Sequence, residues 1–271
     1  MTEITQSGLD PVRKRRIWDS DLVSHYLAFG ASLICAFIVW TILAWWVDKS
    51  AFLPSPRATF NGAVELIRSG ALMQNVAASF SRIVVGYFIG TCIGIPLGLF
   101  MGKSKIVRAF VDPYVEFFRF IPPIAFVTLA IIWFGLGEAS KIVLIVYTTL
   151  FMVAINTMIG VLSIEPDKRF AALCLGASER QVFFHVTIPA AIPSIVTGMK
   201  IAMGNSFMTV VSAEMIAAQT GVGFLIMNSR LFLLTEWIFV GIITLGLMGF
   251  ISDRALRLVA NKFLRRYAVK I

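Results

Sequence analysis

The chain has 271 residues, a formal net charge of +9, 58% hydrophobic residues and only 14% charged ones, with a mean hydropathy of +0.84. A soluble domain carries about 25% charged residues, so the composition excludes an ordinary soluble globule and puts the chain in the membrane class. Its apolar runs are continuous rather than alternating, which excludes a β-barrel, and its three cysteines are too few and unpatterned for a disulfide framework.

A spanning helix needs roughly 20 mainly apolar residues. Six stretches qualify: about 23–47, 76–101, 113–134, 141–163, 190–213 and 237–257. They predict an all-α polytopic membrane protein with about six transmembrane helices. Residues 1–20 form a polar tail, 21–258 the transmembrane domain and 259–271 a basic tail. Arg13, Lys14, Arg15 and Arg16 precede an apolar run too long for a signal peptide, so the first span is expected to stay in the mature protein.

After the first span, Ser55 suits a helix cap, Pro56 the first helical position and Gly70 the residue past the end. Phe60, Ala63, Val64 and Ile67 fall on one face at helical spacing. This predicts an outer amphipathic helix, either a lid on the bundle or a rim that a binding protein touches.

The second span carries Gly86, Gly90, Gly94, Gly98 and Gly102, five glycines four residues apart on one helical face. In lipid, small residues at this spacing let helices approach closely, either within the bundle or between subunits. The stretch Gly98 to Ser104 resembles a phosphate-binding loop, but three residues separate its glycines where four are needed. It also ends a membrane helix, so Lys103 and Lys105 read as inner anchors and no Walker loop is expected.

The third span opens with Asp112, Glu116 and Arg119 on one face and is interrupted by Pro122-Pro123. Ionisable groups at membrane depth pair or face a cavity. Glu116 and Arg119 can pair at i, i+3, or Arg119 faces a pathway. The prolines should kink or break the helix, and the glycines of 133–141 suit a tight turn into the fourth span.

Between the fourth and fifth spans the hydrophobic pattern gives way to a polar segment, 165–188. Arg169 to Leu175 can form one short helix, ended by Gly176 in the left-handed conformation. Ser178 with Gln181 has capping-box spacing for a second, and Pro189 and Pro193 should mark the start of the fifth span. That span carries Lys200. Residues 212–223, with Glu214 and two close glycines, suit either a re-entrant outer gate or an interfacial loop.

With the N-terminus inside, the inner segments hold sixteen of the 24 lysines and arginines, the outer segments five and the spans three. The bias follows the positive-inside rule with both termini cytoplasmic. It makes the basic excess a topology signal, and nucleic acid is not an expected partner.

The segment with Ala171-Ala172, Gly176 and Val186-Thr187-Ile188-Pro189 resembles the EAA loop of permease subunits in ATP-binding-cassette importers, roughly E-A-A-x3-G-x9-I-x-L-P. Leu53 to Pro56, Ser79 to Gly86, Gly94 to Gly102, Arg119 to Pro123, Trp133 to Lys141, Gly176 to Ser178 and Ala213 to Met215 are similar to the nitrate, sulfonate, taurine and bicarbonate branch of that family. The glutamate of the signature is Phe170 here, with Arg169 before it.

The resemblance implies the type I importer permease fold, built as a homodimer in the bacterial cytoplasmic (inner) membrane. Ala171, Ala172, Gly176, Ala177, Ser178 and Pro189 would couple it to separate cytoplasmic ATPase subunits. Those subunits would bind ATP and magnesium, leaving this chain without catalytic residues, metal or cofactor. An external solute-binding protein would deliver the solute. Arg119, Asn205, Ser206, Phe207 and Thr209 are the candidates for lining the pathway. A small anion such as a sulfonate, nitrate or bicarbonate is the expected cargo; an aromatic carboxylate or a pyrimidine or thiamine precursor is the alternative. An intramembrane enzyme lacks a nucleophile and base pattern here, and a channel or secondary carrier would leave the polar loop without a purpose.

Overall fold

The computed structural model describes residues 11–47 and 52–264. The chain divides at Phe60 and Asn61 into two compact units.

In the first unit, α1 (Pro11–Val47) is a single helix. It therefore begins inside the segment expected as a polar tail. Trp40 Nε1 donates to the Pro54 carbonyl at 3.1 Å. The Ser55 hydroxyl then accepts from Ala58 N–H at 3.2 Å, capping α2 (Pro56–Arg68), whose N-terminal turn closes the unit.

The second unit is built on α3 (Ala71–Lys103), α6 (Glu138–Leu162) and α9 (Ile188–Ala217). Helix α6 lies between the other two and packs extensively on both. Its fit to α3 is set by the glycines. Cβ atoms added at Gly86, Gly90 and Gly102 would lie 2.6, 2.6 and 2.5 Å from the Cβ atoms of Ile145, Thr149 and Val161. Gly94 and Gly98 stand against Val153 and Thr157 in the same register. A four-residue period on α3 thus meets a four-residue period of β-branched residues on α6, which is small-residue packing within one chain. Gly160 and Gly198 make similar close approaches between α6 and α9, against Ser194 and Asn156.

Five helices among the described residues are long and apolar enough to cross a membrane. The expected third span makes a sixth when counted as one broken span. It is a bent pair, α4 (Lys105–Arg119) and Pro123–Phe134, at 92° to one another. Pro122 and Pro123 have no N–H to continue the ladder. Phe120 and Ile121 N–H groups shorten to the i−3 carbonyls, at 3.3 and 3.1 Å, and Pro122 is extended. A 3₁₀ turn, Pro123–Phe126, then leads into α5 (Val127–Phe134).

The boundary expected at Pro189 and Pro193 is also absent. Helix runs without a gap from Glu179 to Ala217. A π-turn over Phe183–Thr187, with Ile188 N–H bonded to the Phe183 carbonyl, shifts the ladder just before Pro189, so its missing donor interrupts nothing at that step.

Two further helices complete the described fold. The short α10 (Val222–Leu231) follows the turn after α9, and α11 (Thr235–Leu264) is the last span. The C-terminal half of α2 packs on both through Leu66, Leu225 and Val240. This rotates α2 from its expected face: Gly62, Ala63 and Leu66 turn inward, while Phe60 and Ile67 are exposed. Gly62 allows this, since a Cβ there would meet Trp237 at 3.1 Å.

Candidate coupling surface and transport cavity

Helix α7 (Pro166–Cys174) starts with Pro at its first turn and ends in two interlocked hydrogen bonds. Ala177 N–H bonds the Ala172 carbonyl at 3.1 Å and Gly176 N–H the Leu173 carbonyl at 2.9 Å, the pattern of a Schellman motif. Gly176 has φ +85°, a conformation that costs other residues about 1–2 kcal/mol. Two residues on, a capping box starts α8 (Glu179–Val182). The Ser178 hydroxyl accepts from Gln181 N–H, and the Gln181 side chain accepts from Ser178 N–H. An Arg169–Glu179 ion pair at 2.8 Å joins the two helices across the turn.

The structure therefore brings Ala171, Ala172, Gly176, Ala177 and Ser178 together on one compact hairpin. Ala171, Gly176 and Ser178 are exposed, and Ala172 and Ala177 half-buried. Pro189 lies beyond the π-turn, at the start of α9. Phe170 and Leu175 present exposed apolar surface on the same hairpin, Leu175 being 89% exposed. Because α8 runs into α9 without a break, the second arm of the hairpin and the spanning helix form one rod of 39 residues, about 58 Å long at 1.5 Å per residue.

Along that rod, Asn205 and Thr209 line a cavity of about 380 Å³. Its opposite wall is the proline break, Arg119 to Ile124, and its floor is Tyr147, Thr148, Phe151 and Met152 of α6. Those α6 residues sit near the middle of the helix, so the cavity lies at mid-membrane. Tyr147 holds the break in shape. Its hydroxyl donates to the Phe118 carbonyl and lies 3.4 Å from that of Ile121, satisfying groups that a broken helix would otherwise leave bare. Phe118 stacks on Phe151, with centroids 6.2 Å apart. Arg119 packs over the Phe120 ring and has no carboxylate partner among the described residues. The ion pair available to it with Glu116 is not formed. The Asn205 amide likewise makes no hydrogen bond to another described side chain or backbone group.

Ser206 and Phe207 lie outside this cavity. Ser206 is fully buried and hydrogen-bonded to Thr149 of α6 at 3.1 Å. Phe207 joins the core with Ile83, Ile145, Val210 and Met248 and borders a separate open groove that contains Lys200 and Asp253. Both residues face helices rather than the cavity because they follow Asn205 by one and two positions, about 100° and 200° around α9.

At the end of α9 opposite the hairpin, a second polar cluster went unread in the sequence. Arg82 of α3 binds Glu138 of α6 at 2.5 and 2.7 Å and Glu214 of α9 at 2.7 Å. It also donates to the Thr220 carbonyl at 2.7 Å. Glu214 accepts from Ser79 at 2.8 Å and from Gly223 N–H at 2.9 Å. Asn75 and Ser79 take the N–H groups of Gly221 and Val222, both at 2.8 Å. Residues 218–221 are therefore a pinned turn between α9 and α10. A cation in one apolar span and an anion at the end of another was the available signal.

A family profile described as "Binding-protein-dependent transport system inner membrane component" matches residues 94–265. The chain is 35% identical over 241 residues to the taurine transport system permease protein TauC of Escherichia coli, covering 87% of this chain and 88% of that one. It is 31% identical over 261 residues to the nitrate import permease protein NrtB of Synechocystis, covering 92% and 93%. Among solved structures, the fold is similar to a chain of a bacterial alginate ABC transporter in complex with an alginate pentasaccharide-bound periplasmic protein. There the TM-score is 0.60 at 18% identity, covering 94% of this chain and 99% of that one.

Proposed function

The chain belongs to the family of binding-protein-dependent transport system inner membrane components, and from that premise we propose that it carries a small anionic solute inward, driven by a separate ATPase docked on residues 165–188. The observation that carries this reading is the continuity of α8, the second arm of the hairpin, with α9. A force applied to α8 is delivered along one helix to Asn205 and Thr209 and on to Glu214. No flexible joint intervenes to dissipate it.

In this mechanism two copies of the chain face each other. ATP and magnesium bind in the partner ATPases, whose closure draws the two hairpins together. Helices α6 and α9 flank the hairpin and move as rigid bodies, opening the path bordered by Arg119, Asn205 and Thr209. Both chain termini lie in the cytoplasm, and an external binding protein delivers the solute to the opposite face. Phe170, standing where the EAA signature has glutamate, and Leu175 supply apolar contact to the ATPase. Taurine and nitrate, in the names of the relatives TauC and NrtB, support a small, compact oxyanion as the solute.

The test is a pull-down of the tagged chain from native membranes in mild detergent. A stoichiometric ATPase subunit is the expected companion. A clean homo-oligomer without one, repeated after crosslinking, would contradict the coupling role and favour a channel or carrier.

A further inference from the structure

We propose that this permease itself holds a solute-recognition site at mid-membrane, in which Arg119 and Asn205 grasp the anionic group of the cargo. The proposal rests on the permease reading. It assigns part of solute choice to this chain rather than leaving it all to an external binding protein.

An arginine at bilayer depth is costly unless it pairs or faces a water-filled cavity. Arg119 has acidic neighbours on its own helix at i−3 and i−7, Glu116 and Asp112, yet pairs with neither. It borders a cavity of about 380 Å³ instead, within the roughly 300–1,000 Å³ range of small-molecule sites. Across that cavity Asn205, half-buried, keeps both amide N–H donors uncommitted. Two adjacent hydroxyls are in the opposite condition. Thr209 and Ser212 donate their hydrogens to the backbone carbonyls of Asn205 and Met208, at 2.8 and 3.0 Å. Their oxygens keep lone pairs as acceptors, that of Thr209 lying 3.3 Å from the Thr148 hydroxyl.

The site is thus divided, with donors and positive charge at Arg119 and Asn205 and acceptors one and two turns along α9. A planar guanidinium matches a two-oxygen face of a sulfonate, nitrate or carboxylate bidentately. The acceptor end suits an N–H or O–H group on the same small molecule, or the water that travels with it. The ligand class is therefore a compact oxyanion, with preference for one carrying a hydrogen-bond donor a few ångströms from its charge.

The experiment uses the permease–ATPase complex in nanodiscs without any binding protein. Equilibrium binding of radiolabelled taurine, ethanesulfonate and nitrate is measured at millimolar concentration. Saturable binding of at least one is expected. Arg119→Gln should weaken it at least about tenfold, the loss expected for charge-assisted hydrogen bonds. Arg119→Lys should weaken it less, and Asn205→Ala should weaken it with charge unchanged. No saturable binding by wild type to any of the three, or equal binding by Arg119→Gln, would overturn the proposal. The ATPase must remain bound in every variant; its absence from the wild-type complex would sink the permease reading instead.

Discussion

Arg82 and Arg119 both lie in the apolar part of this chain, and their surroundings are opposites. Arg82 is 3% exposed, and its guanidinium is shared among two carboxylates and a backbone carbonyl. Around it, the N–H groups of residues 221–223 are all taken by side chains of α3 and α9. Arg119 is exposed, without a carboxylate partner among the described residues, and placed beside a broken helix. A saturated buried charge fixes the helices around it, because every alternative arrangement leaves an ion without a partner. An unsaturated charge at a cavity has bonding capacity to offer something that passes. The Arg82 cluster therefore reads as a clamp that holds α3, α6, α9 and α10 in register, and the mid-membrane cavity is the place where we propose that solute is met.

That contrast can be broken or sharpened by substitution. The largest effect is expected from Arg82→Ala, which leaves the fully buried Glu214 carboxylate without its cation, a loss of about 3–5 kcal/mol. Thermal unfolding in detergent should show it, and Arg82→Ala with Glu214→Ala should lose less than the sum of the two singles. Glu138→Ala should cost less than either, since its side chain is 58% exposed. Next comes Gly90→Val, which drives a side chain into Thr149 of α6; overpacking of this kind costs roughly 1–3 kcal/mol and should lower the melting temperature without touching the cavity. Gly176→Leu should strain the hairpin by about 1–2 kcal/mol while leaving membrane insertion intact, and ATP hydrolysis should continue without uptake. Normal uptake by that variant would remove the hairpin from the coupling path. Arg169→Ala should change stability by about 0–1 kcal/mol, as for other exposed ion pairs, and salt should erase the difference.

The sequence carried the parts of this structure that depend on local pattern. Five glycines at a period of four are visible in one dimension, as are Gly176 and the Ser178–Gln181 box, because each works through neighbours within a turn or two. The partner of the glycine face was not visible, since it depends on the register of α6. The proline break was legible as an interruption, but its 92° angle comes from Tyr147 and the aromatic wall of α6. Continuity through Pro189 rests on a π-turn, which has no composition signature here. The Arg82–Glu214 pair spans 132 positions, and local periodicity contains nothing about such a distance. Ser206 was a plausible pathway residue by type alone, and only the rotation of α9 separates it from Asn205.

The most direct test of the contrast is a paired measurement on Arg82→Gln and Arg119→Gln, with ATP-dependent solute uptake and the thermal melt of the purified complex read on the same samples. Arg119→Gln should melt within about 0.5 kcal/mol of wild type, as an exposed substitution does, yet lose uptake. Arg82→Gln should lose uptake only in proportion to the folded protein it fails to maintain. Normal uptake by Arg119→Gln, or a collapse of its melt to that of Arg82→Gln, would contradict the division between a structural and a transporting arginine.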